Sequence, residues 1–132
     1  MADLASDLSR TLEQLERVVW GEPEFPSHLV VTCHALRRKP LSDFTVEDLR
    51  IMIGQGMSLI HLMPLAIQRL TLDPLAEGDY YPGDLLKNVA EVTPEFWRAH
   101  PDLRRAMDAI VRQAQPLPPG LDLAWAPGAD LR

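Results

Sequence analysis

Twelve prolines cut this chain into short stretches, and within those stretches apolar residues recur every three or four positions. A proline lacks an amide donor and disfavours helix in the residue before it, so each one tends to end or kink a helix. Spacings of three and four put the apolar side chains on one face of a helix. The two features together predict a bundle of short amphipathic helices. Leu4, Leu8, Leu12, Leu15 and Val19 form one such stripe, predicted to end before Gly21, and Glu22-Pro23-Glu24-Phe25-Pro26 breaks the chain after it. Ser27 is placed to cap a second helix carrying Leu29, Val30, Cys33 and Leu36, stopped by Pro40. Its last turn holds Arg37, Arg38 and Lys39, where cations favour the negative end of the helix dipole. Thr45 and Asp48 have the spacing of a capping box, and Phe44 is placed to staple onto Leu49. This third helix buries Leu49, Met52 and Ile53 and runs out at Gly54 or Gly56. A fourth, about 58–72, is apolar nearly all round and is expected at the centre, kinked at Pro64. A fifth runs from Pro82 or Gly83 to about Val92, and Thr93-Pro94 opens a short turn. Pro101 opens the last helix, with Leu103, Met107, Ile110 and Val111 on one face.

The length of 132 residues suits one domain with a real core. The expected organisation is an all-α bundle of about six helices over 1–115 and an irregular tail over 116–132. Pro116, Pro118, Pro119, Gly120, Pro127 and Gly128 leave the tail no helical or paired-strand option. Leu121, Leu123 and Trp125 either dock it on the helices or leave it loose, and a chain ending at Gln115 is expected to fold and function. No apolar run approaches the roughly 20 residues of a membrane span. The N-terminus has Asp3 and Asp7 in place of a basic signal-peptide region, and the one cysteine, Cys33, fits a reducing compartment. The expected location is the cytoplasm.

Charge is concentrated. Between Asp73 and Glu95 six acids face Lys87 alone, a net of −5 against −6 for the whole chain. Inside this segment lies Pro74-Leu-Ala-Glu-Gly-Asp-Tyr-Tyr-Pro-Gly-Asp-Leu-Leu86, a loop with two glycines, two adjacent tyrosines and three carboxylates. An acidic loop attracts a basic partner and repels nucleic acid. Glu77, Asp79, Tyr80, Tyr81 and Asp84 are therefore the candidate partner-binding residues. A second acidic face around Glu13, Glu16 and Glu22 is the next candidate.

No chemistry is expected from the chain itself. His28, His34, His61, His100 and Cys33 lack paired metal-ligand spacing, because Cys33 and His34 are adjacent and diverge on a helix. His61 reads as a core or half-core residue. Gly54-x-Gly56 lacks a third glycine and follows a helix, so it makes no phosphate loop. No serine has a nucleophile-elbow context, and the carboxylate pairs Glu47-Asp48 and Asp79-Asp84 lack a setting for acid-base work. Neither a catalytic residue, a metal nor a cofactor is expected. The alternative is a small regulatory or nucleic-acid-binding module, since 45–70 has helix-turn-helix form. Its second helix would present Met57, Leu59, Ile60, Leu62 and Met63, with only His61, Gln68 and Arg69 to meet DNA. The only basic cluster is Arg37-Arg38-Lys39.

An ordered series of motifs carries a resemblance. Trp20-Gly-Glu-Pro, Leu29-Val-Val-Thr-Cys-His-Ala-Leu-Arg-Arg-Lys-Pro-Leu, Asp43-Phe-Thr-Val-Glu-Asp-Leu-Arg-Ile-Met-Ile-Gly-Gln, Pro64-Leu-Ala and the Pro74–Leu86 loop resemble the immunity proteins of contact-dependent growth inhibition (CDI) systems. The resemblance runs from about Leu12 to Ala114 and leaves the tail out. It implies a bacterial cytoplasmic protein that binds the C-terminal toxin domain of a cognate CDI effector and blocks it by occlusion. Many such toxins are nucleases with basic clefts, to which an acidic loop is complementary. The motifs name no binding residue, so the resemblance transfers none, and some of them, such as Trp20 and Asp43-Phe44-Thr45, suit packing and capping.

Overall fold

The computed structural model of the chain describes residues 8–22, 27–123 and 125. Leu4, the Pro23–Pro26 breaker, and Pro127 and Gly128 of the tail lie outside them. The described residues form an all-α bundle of seven helices: α1 Leu12–Glu16, α2 His28–Leu36, α3 Val46–Gly54, α4 Leu59–Leu72, α5 Asp84–Ala90, α6 Pro94–Ala99 and α7 Pro101–Gln113. A 3-10 turn, Leu41–Asp43, leads into α3. Among these residues no strand forms, and pairing is limited to an isolated bridge between Glu77 and Pro82.

Local sequence sets most of the starts. Ser27 Oγ accepts the Val30 amide at 3.2 Å. Thr45 and Asp48 close a reciprocal capping box, with N–H···O distances of 3.0 and 3.1 Å. Pro94 and Pro101 stand in the first turn of α6 and α7, where a missing amide costs nothing. The first stripe does not form one helix. Thr11 and Gln14 make a second capping box that starts α1 afresh, and Arg17, in the left-handed region at φ 58°, ends it. Val19 is consequently 74 % exposed and outside the core.

α4 is the axis of the bundle. Leu62, Met63, Leu65, Ala66, Ile67 and Leu70 are buried, and the helix continues through Pro64. α3 packs against α4 and most extensively against α5, while α4 also packs on α7. Phe44, Leu49, Met52, Leu85, Leu86, Trp97 and Met107 fill the space between them.

The cations ending α2 do more than cap a dipole. Arg37 is 2 % exposed. It pairs with Glu16, donates to the Val18 carbonyl at 2.7 Å and lies 4.4 Å from the Trp20 ring centroid. Arg38 reaches Glu13 at 3.5 Å, and Lys39 reaches Asp48 at 2.6 Å. Burial would raise the Glu16 pKa, but hydrogen bonds from Arg37 and Ser58 hold it below the usual carboxylate range. Glu16 is thus an internal counterion and Glu13 is partly matched by Arg38 at the surface, which reduces the second acidic face.

The tail packs on the helices. Leu121 is buried, and Leu117, Leu123 and Trp125 lie against the core. The Trp125 ring meets Trp97 edge-on at 4.9 Å, and its Nε1 donates to Asp108 Oδ1 at 2.9 Å. Two outcomes follow. Leu49→Ala, at a site 1 % exposed, is expected to lower unfolding free energy by about 2–5 kcal/mol in denaturant titration. A chain ending at Gln115 is expected to fold with a melting temperature lower by about 5 °C or more, because it loses the Leu121 and Trp125 burial. Unchanged melting would show that this packing adds nothing.

Candidate partner-binding surface

The acidic loop follows from how α4 ends and α5 begins. Asp73 Oδ1 accepts the Leu75 amide, and Gly83 N–H donates to the Leu75 carbonyl at 3.1 Å, so the loop closes on itself. Gly83, at φ 91°, supplies the left-handed turn into α5. Asp84 then shapes the loop from within. It is 2 % exposed. Oδ1 accepts the Gly78 amide at 2.7 Å, and Oδ2 accepts the Tyr80 amide at 3.1 Å. A carboxylate with two backbone donors is satisfied although buried.

α3 supplies the other half of the support. Arg50 Nε donates to Glu47 Oε1 at 2.6 Å, and a terminal nitrogen donates to Glu47 Oε2. Asp84 Oδ2 lies 3.9 Å from Arg50 Nε. Glu47 Oε1 also accepts the Asp79 amide at 2.9 Å. The Arg50 guanidinium sits 4.4 Å from the Tyr80 ring centroid. Three loop amides are therefore fixed by two carboxylates, and one guanidinium sits between those carboxylates and an aromatic face. Gly78 leaves room for these carboxylates: a Cβ there would lie 2.5 Å from Glu47 Oε1 and 3.0 Å from Asp84 Oδ2, so a side chain would push them off their amides.

The sequence reading grouped five residues on this surface, and the fold divides them. Glu77, Asp79, Tyr80 and Tyr81 are exposed, the tyrosines by 70 % and 39 %. Asp84 faces inward and holds the loop backbone at Gly78 and Tyr80. Glu47 and Arg50 were missed by the sequence reading, since nothing local to α3 marks a residue whose partner lies some 30 positions away. A cleft of about 550 Å³ opens beside Tyr80, walled by α2 at His28 and Thr32 and by Arg50, Asp79 and Asn88. Among the described residues, no group of three His, Cys, Asp or Glu side chains is placed to hold a metal ion. No described helix is long and apolar enough to cross a membrane.

The hydrogen bonds from Arg50, aided by the Asp79 amide, hold the Glu47 pKa below the usual carboxylate range against the opposing effect of burial. A depressed carboxylate contributes stability that is full above its unfolded-state pKa and is lost as pH falls through its folded value. Acid is therefore expected to loosen the loop. Tyr80 ring resonances should move toward free tyrosine positions below the ordinary carboxylate range, in an NMR titration. Glu47→Gln should show loosened positions already at neutral pH. A Tyr80 signal unchanged by either would contradict the docking.

No curated protein matches the chain. A family model described as CDI immunity proteins matches residues 14–107, which takes in the end of α1, all of α2 to α6, the whole acidic loop and about half of α7. With well over half of its length covered by that match, the chain belongs to the family of CDI immunity proteins.

Proposed function

We propose that this protein neutralises the C-terminal toxin domain of a cognate CDI effector in the bacterial cytoplasm. It does so by covering the toxin's active or substrate-binding surface, without chemistry of its own. The toxin is a nuclease, since a cleft that binds a polyanion is basic and an acidic loop is its electrostatic complement. The observation that carries this reading is the loop itself. Glu77, Asp79, Tyr80 and Tyr81 point outward from a backbone whose Gly78, Asp79 and Tyr80 amides are all bonded to buried or half-buried carboxylates.

A loop ordered before binding loses little further conformational entropy when its partner arrives. The carboxylates raise the encounter rate by long-range attraction, and the tyrosines supply wide amphipathic contact with few rotatable bonds. Asp84 and Arg50 act through the loop and meet no partner. A helix-turn-helix reading is disfavoured on two counts. Of the side chains that α4 would offer to a groove, Leu62 and Met63 are in the core, and Arg69 is turned inward to donate to the Phe44 carbonyl at 2.7 Å. Arg37, Arg38 and Lys39 are already paired with Glu16, Glu13 and Asp48.

The test uses the toxin-like C-terminal domain encoded immediately upstream. A Glu77→Lys, Asp79→Lys double variant is expected to associate about tenfold more slowly at low ionic strength, the difference shrinking as salt is raised. Its melting should be unchanged. Equal association rates in low salt would place the binding surface elsewhere.

A further inference from the structure

The tail ends up beside the acidic loop, and the family match stops before it, at residue 107. Leu121 lies over the loop's exit: a Cβ on Gly83 would be 2.6 Å from Leu121 Cδ2. Lys87 Nζ donates to the Asp122 carbonyl at 3.1 Å. Trp125, anchored on Trp97 and Asp108, fixes the far end. Between tail and loop remains a cleft of about 320 Å³, lined by Tyr81, Pro82, Lys87, Pro118, Pro119 and Leu121.

We propose that this cleft is the apolar half of the toxin-binding surface and takes one uncharged apolar side chain of the toxin domain. The proposal rests on the function proposed above and adds the tail to it. Its volume is at the lower end of ligand pockets, which span about 300–1,000 Å³, and suits a single side chain. Three proline rings, a tyrosine face and a leucine form most of the wall, so an apolar group leaves few polar groups unpaired there. Proline walls also have little conformational freedom to lose. Lys87 at the rim repels a cation, while Glu77 and Asp79 on the same loop attract one. The matching toxin surface thus carries basic groups beside an apolar anchor. Tyr81 joins the two halves: it follows Tyr80 in the loop and walls the cleft. Because the tail lies beyond the matched segment, it is a place where this chain can select its own toxin.

Pro119→Gln puts an uncharged polar side chain over the cleft from its exposed side, and Pro82→Gln does the same from the loop side. Binding of the upstream-encoded toxin domain is followed by stopped-flow mixing and by dissociation. Each variant is expected to dissociate about tenfold faster, with association rate and salt dependence within about twofold of the parent. The two substitutions lie on different segments, so a folding defect in one, read by melting, leaves the other decisive. Dissociation at the parental rate in a folded variant overturns the cleft. If Glu77→Lys, Asp79→Lys slows association while the cleft variants dissociate at the parental rate, the cleft fails and the acidic-loop reading stands. If the cleft variants dissociate faster while the double reversal associates normally, the loop reading fails and the cleft stands.

Discussion

Arg50 is the contact on which the shape of the acidic surface depends. A loop with Glu77, Asp79 and Asp84 within eight residues repels itself, and its backbone amides need acceptors wherever water is excluded. Arg50 brings one positive charge into the centre of that repulsion. It holds Glu47 in position to accept the Asp79 amide, lies close to Asp84, and carries the Tyr80 ring on its face. Asn88 Nδ2 donates to the Arg50 carbonyl at 3.0 Å, which ties the same residue's backbone to α5. The guanidinium is in turn stabilised in its charged form, its pKa raised mainly by the Glu47 hydrogen bonds. Truncating one partner of such a cluster leaves the others half-buried and unpaired, which is usually costlier than removing a surface pair.

The same logic divides charge across the molecule. The cations at the end of α2 are matched within the chain by Glu13, Glu16 and Asp48. The loop carboxylates of Glu77 and Asp79 point into solvent, where their field reaches a partner. A chain only modestly acidic overall thereby presents one markedly acidic surface. The hydrophobic core makes this possible: α3, α4 and α5 are held by Leu49, Met52, Leu62, Leu85 and Leu86, all nearly inaccessible, so the ends of α3 and α5 meet at a fixed distance.

Helix starts were the most legible part, because capping is written in a few adjacent residues. Ser27, Thr45, Pro94 and Pro101 mark starts by chemistry that acts within one turn. The division of the first stripe was equally local, in Thr11 and Gln14, but an unbroken leucine periodicity masked it. Asp84 and Arg37 could not be placed from charge alone, since burial of an ionised group depends on partners that the fold delivers: two loop amides for one, Glu16 and Trp20 for the other. Gly78 was no plainer. In the sequence it reads like any turn glycine; only the fold shows that its φ is ordinary and that a close neighbour, the Glu47 carboxylate, occupies the space a side chain would take. The docking of the tail rests on Trp125 meeting Trp97, a contact with no local signature.

The central claim is that the acidic surface exists before the toxin arrives. Amide hydrogen exchange, resolved by residue in the free chain and in the complex, tests it directly. The account predicts slow exchange at Gly78, Asp79 and Tyr80 in the free chain, with further protection on binding at 77–82. Fast exchange at these amides in the free chain, slowed only by the toxin, would contradict a preformed surface and make the loop an element that folds on binding.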